Sequence, residues 1–357
     1  MRVAEDVLTI QSHTGPYTVR FGSAFAGLES PLKPNEHLIV DSHVASLYQS
    51  VLGAALSSSS VLRIDATEAS KSLERFPSYV THLIEHRVRR DHVLIAVGGG
   101  IVQDITAFIA ATLLRGVQWR FFPTTLLAQA DSCIGSKSSI NVGKYKNQLG
   151  TFTPPNDILV STDVLDTLSD ADLRSGVGEM LKVHIISGWK DTRAIISDYR
   201  RILTVRKVLE KYIRRSLEIK KAKIEIDEFD RRERLVMNYG HSFGHAIESA
   251  TEYAVPHGIA VTFGVDLANY MSYRLGLAAR STFEEIHPVL AENFSGFEHI
   301  PVPEDAFFDA LSKDKKNVDD DLSLILMREP GQAFKGRYRN DEPLRQICRD
   351  YFRTQRT

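Results

Sequence analysis

Three histidines lie within one short stretch of the chain, between Met237 and Gly258. His241 and His245 are four residues apart, so on a helix both imidazoles project from the same face. His257 follows in a Pro-His-Gly turn that can return to the same point. Neutral imidazole is the commonest metal ligand, and two such rings with one carboxylate form an open catalytic metal site. The alternative is that three of the twelve histidines are simply close in sequence.

Glu179 is the best available carboxylate for these histidines. It stands three residues before Lys182 in a helical pattern that is otherwise apolar. An exposed ion pair of this spacing would be common and weak. Gly176 and Gly178 would, however, let another backbone or a ligand approach closely, which favours a site.

Two further segments carry groups that could bind an anion. Arg234 and Asn238 lie four residues apart and lead directly into the histidine stretch, so both can point toward a metal-bound substrate. The segment 131–150 is rich in Ser, Gly, Asn and Lys, and compact domains rarely keep such long irregular loops without a function. Ammonium groups and short polar donors suit a phosphate. The candidates in this loop are Lys137, Lys144, Lys146 and Asn147. The alternative is a solvated polar loop, just as 313–317 is most simply a charged turn.

These residues must be positioned by two different kinds of structure. Up to about Leu168, short apolar runs alternate with helical patterns, which predicts a Rossmann-like parallel sheet with crossover helices. From Ser169, a helix N-cap, the patterns are helical almost to the end. The fold class is therefore α/β, with a parallel-sheet domain over 1–168 followed by an all-helical domain over 169–357. Helices are expected at 70–87, 102–114, 202–218 and 260–275.

Polar residues follow the predicted strands at the edge where open α/β sheets bind ligands. Gly98–Gly100 separates the strand 92–97 from a helix, where backbone amides can approach a pyrophosphate. This is not the full dinucleotide fingerprint, and a simple tight turn is the alternative. Asp41 ends an earlier strand and could accept bonds from ribose hydroxyls. Thr124 and Thr125 close the strand 118–123 with two hydroxyl donors.

The overall composition excludes several classes of function. A formal net charge of −1 offers no basic field for nucleic acid or membranes. Two cysteines, Cys133 and Cys348, fit a reducing compartment and offer no disulfide framework. The first ten residues lack a signal core, and no apolar run is long enough to span a membrane. The sequence therefore predicts a cytoplasmic protein that binds neither nucleic acid nor membrane.

Taken together, these segments resemble the dehydroquinate synthase family, the sugar phosphate cyclases, from about Asp41 to Lys316. The family's motifs follow one another here in order: Gly-Gly-Gly, Pro-Thr-Thr, Asp-Ser, Lys-Asn, Glu-x-x-Lys, Asn-x-Gly-His-x-x-Gly-His and His-Gly. The resemblance implies an enzyme that eliminates phosphate from a seven-carbon sugar phosphate and closes a carbocycle. It also implies bound NAD, zinc (or cobalt), a homodimer, and a place in the shikimate pathway.

The resemblance also implies roles for individual residues. The implied zinc ligands are Glu179, His241 and His257. The implied NAD contacts are Asp41, Glu68, Lys71, Gly99, Gly100, Asp104, Thr124 and Thr125. The implied phosphate, substrate and catalytic residues are Asp131, Lys137, Lys146, Asn147, Lys182, Arg234, Asn238 and His245. A carboxylate-binding set is implied as Arg234, Asn238, Lys315 (or Lys316) and one of Lys220 and Lys221. Arg115 would reach the phosphate of a partner subunit.

The substrate stays open between two choices. The carboxylate-binding cations favour 3-deoxy-arabino-heptulosonate 7-phosphate and hence dehydroquinate formation. The family's Gly-Gly-Lys-Thr is here Gly135-Ser136-Lys137-Ser138, and an extra lysine precedes Lys146. Because this loop departs from the family pattern, a neutral sedoheptulose 7-phosphate, as used by 2-epi-5-epi-valiolone synthases, is the alternative. More distant alternatives are a metal-dependent alcohol dehydrogenase and a non-catalytic nucleotide-binding module.

Overall fold

The computed structural model describes residues 7–143, 145–314, 317 and 321–356. The chain forms two compact units. The first comprises Met1–Leu168 and Lys221–Phe229, and the second comprises Ser169–Lys220 and Asp230–Thr357. The end of the helix Arg206–Ile226, from Lys221 onward, and the three residues after it thus belong to the first unit.

A seven-stranded sheet organises the first unit. Its strand order is β1-β2-β9-β6-β5-β3-β4, with every neighbouring pair parallel except β1 and β2. The strands of the unit are β1 (Val7–Ile10), β2 (Tyr17–Phe21), β3 (Glu36–Asp41), β4 (Leu62–Ile64), β5 (Val93–Gly98), β6 (Gln118–Pro123), β7 (Ile140–Val142), β8 (Tyr145–Leu149) and β9 (Asp157–Val160). Strands β3 and β5 are buried along almost their whole length, as expected for a sheet covered on both faces. The predicted parallel sheet is confirmed.

Two helices of the first unit lie where the sequence predicts them, at 70–87 and 102–114, and two shorter ones were not predicted. The helices of this unit are α1 (Ser42–Leu47), α2 (Gln49–Leu56), α3 (Phe76–Glu85) and α4 (Gly100–Thr112). The helix expected from residue 70 begins only at Phe76, after a short 3-10 turn at Leu73–Arg75. Pro77 lies in its first turn, where the fixed φ and the missing N–H of proline favour a helix start.

The polar loop 131–150 has more structure than the sequence predicts. Strands β7 and β8 form a two-stranded antiparallel hairpin, and Gly143 adopts a positive φ in the turn between them. Strand β7 (Ile-Asn-Val) is only three residues long, and β8 (Tyr-Lys-Asn-Gln-Leu) is largely polar and exposed. Neither has an apolar alternation long enough to be recognised as a strand from sequence. The backbone of this hairpin is therefore ordered by the pairing of its two strands, although β8 is mostly exposed.

The second unit is built around one helix that is buried on all sides. Its helices are α5 (Asp170–Ser187), α6 (Trp189–Thr204), α7 (Arg206–Ile226), α8 (His241–Ala250), α9 (His257–Arg274), α10 (Arg280–Phe294), α11 (Glu304–Ser312) and α12 (Glu342–Thr354). In α9 every residue from Gly258 to Ser272 is buried, so this apolar helix forms the core of the unit. The predicted N-cap is confirmed, since the Ser169 hydroxyl accepts a hydrogen bond from the Asp172 amide.

Two details of the second unit differ from the predictions. The helix expected over 202–218 is interrupted at Val205, which has extended backbone and separates α6 from α7. The helical character is confirmed, but the described residues also contain an antiparallel pair, β10 (Asp321–Met327) and β11 (Ala333–Arg339). Strand β10 is buried from Leu322 onward, so its continuous apolar run gives no period that distinguishes a strand from a helix.

Among the described residues, no helix combines the length and the apolar character needed to cross a bilayer.

Candidate metal and cofactor sites

The two histidines and the carboxylate predicted as metal ligands converge within the second unit. Oε1 of Glu179 lies 3.3 Å from Nε2 of His257 and 3.6 Å from Nε2 of His241. For zinc with bonds of about 2.0–2.2 Å, tetrahedral ligand atoms are about 3.3–3.6 Å apart. One carboxylate oxygen and two imidazole nitrogens are thus spaced as ligands of a single divalent ion.

Close helix contacts bring these groups together. A Cβ placed on Gly178 of α5 would lie 2.2 Å from the carbonyl oxygen of Gly258 in α9. The Gly258 amide also donates to the Ser175 hydroxyl at 2.9 Å. Because only glycine allows the two backbones to approach so closely, Glu179, the next residue in α5, lies beside His257 at the start of α9. Of the two options left open by the sequence, Gly178 therefore makes room for the backbone of another helix and not for a ligand.

Helix α8 is held against α9 in the same way. Gly240, which precedes His241, has a φ of 75° and leaves no room for a side chain against Val265. Gly264 likewise approaches the carbonyl oxygen of Gly240, at 2.1 Å from a Cβ position. The histidine helix therefore starts from a fixed point on the core of the unit.

Charge around the carboxylate favours its ionised form. Lys182, three residues on, donates to Oε2 of Glu179 at 2.5 Å, and both side chains are almost completely buried. Burial by itself would raise the pKa of Glu179, but Lys182 and His257 together lower it well below its usual value. Burial also opposes the charged form of His257, yet bonds to Glu179 and Glu248 raise its pKa to about 10. Since Lys182 occupies Oε2, the other oxygen is the one directed at the histidines.

His245 belongs to the same group, which we call the metal cluster: Glu179, His241, His245 and His257. The three imidazole rings have centroids 5.3–5.7 Å apart, and one nitrogen from each lies within 4.8 Å of the others. The donor set of one carboxylate and imidazoles fits a divalent ion such as zinc or cobalt. His245 is the exposed member, as suits a side chain that acts on a bound molecule.

One residue beside this cluster was not predicted. Oε2 of Glu248 lies 3.0 Å from Nδ1 of His257, while Nδ1 of His241 lies 3.3 Å from the Tyr239 carbonyl oxygen. Both ligand histidines are therefore engaged at Nδ1 and present Nε2 to Glu179. The sequence does contain one indication that Glu248 lies near the metal ligands: it follows His241 by seven residues and so shares its helix face.

Two predicted substrate residues directly precede the histidine helix in the chain. Arg234 and Asn238 belong to a 3-10 segment, Glu233–Asn238, and the Arg234 side chain is buried. Asn238 donates to the carbonyl oxygen of Leu235 at 3.2 Å. Lys220 is buried in α7. Lys315 and Lys316, like Lys144, lie outside the described residues.

Lys221, the alternative to Lys220, belongs to the first unit. Its Nζ contacts Oε2 of Glu225 at 2.7 Å, one helical turn further along α7.

The predicted NAD residues follow the carboxyl ends of the strands in the first unit. From β3 the chain passes to β4 on one side and then to β5 on the other, so the ends of β3 and β5 form a topological switch point. Asp41 ends β3 and Gly98 ends β5, and their side-chain positions are neighbours at 3.4 Å. Dinucleotides bind at this point in doubly wound sheets. A Cβ on Gly100, at the start of α4, would meet nothing within 4 Å, which leaves that helix N-terminus open to a pyrophosphate.

Thr124 and Thr125 lie immediately beyond the neighbouring strand β6. The Thr124 amide donates to the carbonyl oxygen of Gly98 at 2.9 Å, and the Thr125 hydroxyl accepts from the Ala128 amide at 3.2 Å. A Cβ on Gly99 would lie 2.9 Å from the Thr125 methyl group. The glycine turn and the two threonines thus form one continuous surface at this edge.

A second polar group in the first unit connects residues that were predicted separately. Nζ of Lys71 donates to Oδ2 of Asp104 at 3.1 Å and to Oδ1 of Asn147 at 3.0 Å, and it lies 3.8 Å from Oε1 of Glu68. Lys146 lies 3.8 Å from Oε2 of the same glutamate. We call Glu68, Lys71, Asp104 and Asn147 the Lys71 cluster. It joins predicted NAD contacts to the hairpin predicted to bind phosphate.

Burial dominates the electrostatics of the Lys71 cluster. It raises the pKa of Asp104 to about 6, against the opposing effects of Lys71 and the Ser139 amide. Asn141, which was not predicted, donates to Oε2 of Glu68 at 2.8 Å, and its Oδ1 accepts from the Asn147 amide. A carboxyl group that titrates near neutrality beside a buried lysine is typical of a functional site.

Three further predicted residues remain to be placed. Asp131 lies in a single π-helical turn, Ala128–Ser132, a geometry that is frequent at functional sites. Lys137 pairs its backbone with Phe152 in an isolated bridge. Arg115 is exposed in the turn after α4 with a φ of 65°.

Comparison with known proteins identifies the family. The profile described as 3-dehydroquinate synthase N-terminal matches residues 61–175, and the C-terminal profile matches residues 176–317. A 3-dehydroquinate synthase from Cereibacter sphaeroides is 35% identical over 346 residues, which cover 92% of this chain and 94% of that protein.

Two solved structures share the fold over nearly their whole length. A 2-deoxy-scyllo-inosose synthase, solved with carbaglucose-6-phosphate, NAD⁺ and Co²⁺, has a TM-score of 0.82 at 22% identity and covers 98% of this chain and 100% of its own. A 2-epi-5-epi-valiolone synthase from Streptomyces hygroscopicus, with NAD⁺ and Zn²⁺ bound, has a TM-score of 0.79 at 25% identity and covers 93% of this chain and 95% of its own. With both profiles matched and more than nine-tenths of the chain aligned to a curated relative, this chain belongs to the 3-dehydroquinate synthase family.

Proposed function

We propose that this chain is a 3-dehydroquinate synthase, which converts 3-deoxy-arabino-heptulosonate 7-phosphate into 3-dehydroquinate and phosphate with NAD⁺ and a divalent cation. The observation that carries the proposal is the position of Glu179 Oε1 against Nε2 of His241 and His257. This arrangement occurs in a chain that is 35% identical to a 3-dehydroquinate synthase.

The cofactors of the proposed reaction match the donor groups in the chain. Glu179, His241 and His257 would hold the divalent cation, with zinc as the first choice because the related 2-epi-5-epi-valiolone synthase was solved with Zn²⁺ and NAD⁺. The residues proposed to hold NAD⁺ are Asp41, Glu68, Lys71, Gly99, Gly100, Asp104, Thr124 and Thr125. When bound, these two groups supply Lewis acidity at a ring oxygen and a reversible acceptor for hydride.

The chain's own residues would handle protons and charge. His245 is exposed beside the two ligand histidines, and its imidazole can accept and return a proton near neutral pH. Lys182, held by Glu179, would stabilise negative charge on a reacting oxygen. Lys137 and Lys146 are proposed to bind the phosphate end and Asp131 to accept a hydrogen bond from a substrate hydroxyl, with Asn147 held in place through Lys71.

Redox in this reaction would serve elimination and leave no net product. Oxidation of a ring carbinol makes the neighbouring C–H acidic, so the C–O bond to phosphate breaks and phosphate leaves. With the hydride returned to the same carbon and NAD⁺ restored, cleavage of the ring C–O bond would open the ring and free a carbonyl group, and an intramolecular aldol step would then form the new C–C bond. A dehydrogenase, by contrast, would release NADH.

The choice of an acidic substrate rests on buried cations. Arg234 and Lys220 are only 5% and 7% exposed, and a guanidinium group can bind both oxygens of a carboxylate at once. Arg234 and Asn238 are placed to bind the substrate carboxylate in this proposal, with Lys315 or Lys316 as a further candidate. A neutral sugar phosphate would not add that negative charge. Sedoheptulose 7-phosphate is the second candidate, because the 25% identical structure is that of a 2-epi-5-epi-valiolone synthase.

A homodimer is part of the proposal. Arg115 is exposed, and it and Leu114 both have left-handed backbone, with φ of 65° and 52°. Strain of this kind in two successive non-glycine residues is typical of functional turns. Arg115 is proposed to reach the phosphate bound by a partner subunit. The proposed location is the cytoplasm, where the two buried free thiols would stay reduced.

The test is to present both substrates to the purified chain with zinc and NAD⁺. Released phosphate, the carbocyclic product and the NADH absorbance band are measured together. We expect the acid to be cyclised with phosphate release and no accumulation of NADH. Cyclisation of sedoheptulose 7-phosphate alone would overturn the substrate assignment, and stoichiometric NADH would favour a dehydrogenase.

A further inference from the structure

We infer that Glu248 is a positioning residue that orients His257 for metal binding and strengthens it as a ligand. The inference rests on the proposed metal site. Glu248 does not contact the substrate in this assignment. It acts through His257, and it makes that histidine different from His241.

The two nitrogens of His257 are engaged by two different carboxylates. Nε2 lies 3.3 Å from Oε1 of Glu179, and Nδ1 lies 3.0 Å from Oε2 of Glu248. With Nδ1–H donating to Glu248, Nε2 is the nitrogen left to give up its proton and bind a metal ion, and it faces the other proposed ligands. A single carboxylate thus selects both the tautomer and the orientation of the ring, which is the usual role of such a partner behind a metal-bound histidine.

His241 has a weaker partner of the same kind. Its Nδ1 lies 3.3 Å from the carbonyl oxygen of Tyr239, a neutral acceptor at a longer distance. A hydrogen bond to a carboxylate is shorter and stronger than one to a neutral oxygen, and it makes the imidazole more basic. We therefore assign His257 as the stronger of the two imidazole ligands.

Glu248 can bond to His257 because of where the two residues lie on helices α8 and α9. It follows His241 by seven residues and so lies on the same face of α8, while His257 is the first residue of α9. The turn that joins the helices contains Glu252 and Tyr253, both with positive φ. The Glu248–His257 bond closes this turn across its base. The Glu248 side chain is only 13% exposed, so water competes weakly for the carboxylate.

The test is Glu248→Gln, which keeps the size of the side chain and removes its charge. We expect zinc affinity, measured by competition with a chromophoric chelator, to fall about 10–100-fold, the range for loss of such a partner. The visible spectrum of the cobalt-substituted protein should change as well, because the donor strength of His257 changes. Glu248→Asp, which keeps the charge, should recover part of the affinity.

The matched control is Glu284→Gln on α10. Glu284 is exposed and pairs with Arg280 one turn earlier, so the same chemical change is made away from the metal cluster. Its zinc affinity should equal that of the unaltered chain. A merely structural role for Glu248 would lower the thermal stability of the variant but leave the zinc affinity of the folded protein unchanged.

The outcomes separate this inference from the proposed function. If the unaltered chain binds zinc, His241→Ala loses it, and Glu248→Gln binds it as tightly as the unaltered chain, the inference is wrong and the metal site stands. If the unaltered chain binds zinc no better than His241→Ala, both are wrong. Should Glu248→Gln fail to fold, ¹⁵N resonances of the histidines in the zinc-loaded chain decide: coordination of His257 through Nδ1 would overturn the inference.

Discussion

The metal cluster and the Lys71 cluster are assembled by opposite means. The metal cluster lies on helices whose backbones touch at glycines, such as Gly178 against Gly258, so its geometry follows from packing of the helices. In the Lys71 cluster, segments far apart in sequence are joined by side-chain bonds, with Asn147 in left-handed backbone at φ 55°. Substitutions should therefore act on the first cluster mainly through the fold or the ligands, and on the second mainly through charge and hydrogen bonds.

Removal of a metal ligand should have the largest effect. His241→Ala is expected to lose the divalent ion and to lower kcat by about a thousandfold or more, since Lewis acidity contributes several kcal/mol to such reactions. His245→Ala is the informative partner, because a proton-handling residue should leave the metal content unchanged while kcat falls by about 10²–10⁴. Elemental analysis and kinetics on both variants provide the measurement. Retention of the metal by His241→Ala would contradict the ligand assignment.

Two glycine substitutions compare the regions directly. In Gly178→Ala the new methyl group would lie 2.2 Å from the Gly258 carbonyl oxygen, so α5 and α9 must separate. We expect the unfolding free energy, measured with urea, to fall by about 1–3 kcal/mol, as for other overpacked sites.

Gly100→Ala is the counterpart in the first unit. Its methyl group meets nothing within 4 Å, so stability should change by less than about 0.5 kcal/mol. NAD⁺ affinity, measured by calorimetry, should fall about tenfold, or about 1.4 kcal/mol, because the methyl group occupies the approach of the pyrophosphate. Equal NAD⁺ affinity would remove Gly100 from the cofactor site.

The two clusters also differ in how far they can be predicted from the sequence, because one depends on helix packing and the other on side-chain bonds between distant segments. The metal cluster is largely readable, because His241 and His245 have helical spacing and Gly178 stands beside Glu179 in an apolar helix. Glu248 cannot be singled out from the sequence, because one glutamate on an amphipathic helix is indistinguishable from an ordinary solvated residue. No period in the chain encodes the bonds of Lys71 to Asp104 and Asn147, which are 33 and 76 residues away. Those contacts depend on how separate loops meet at the sheet edge.

The same reasoning applies to the fold. Strand β5 was predictable because an apolar run between turn residues reads as a buried parallel strand. The hairpin of β10 and β11 was not, since Leu322 to Met327 is apolar without alternation and only tertiary packing distinguishes it from a helix.

The two adjacent lysines of α7 provide a sharper test of substrate binding. Lys221 is paired with Glu225 at 2.7 Å, whereas Lys220 is buried. Lys220→Met should raise the KM for the acidic substrate about tenfold, the loss expected for one charged hydrogen bond. Lys221→Met should change KM by no more than about twofold, because an exposed helical ion pair contributes about 0.3–0.5 kcal/mol. The reverse order of effects would assign the role to Lys221.

A pH dependence of stability is expected from the Lys71 cluster. The pKa of Asp104 in the folded chain is about 6, raised by burial from an ordinary value of 3.8. The folded chain therefore holds this proton more tightly than the unfolded chain, and that contribution to stability is complete below about pH 4 and lost as the pH rises through about 6. Asp104→Asn cannot titrate, so between pH 4 and 6 its unfolding free energy should fall less with rising pH than that of the unaltered chain. The two slopes should differ by about 1 kcal/mol per pH unit at most. Urea unfolding at several pH values measures both slopes. Equal slopes would mean that Asp104 is ionised through this range and that the Lys71 cluster keeps a fixed charge.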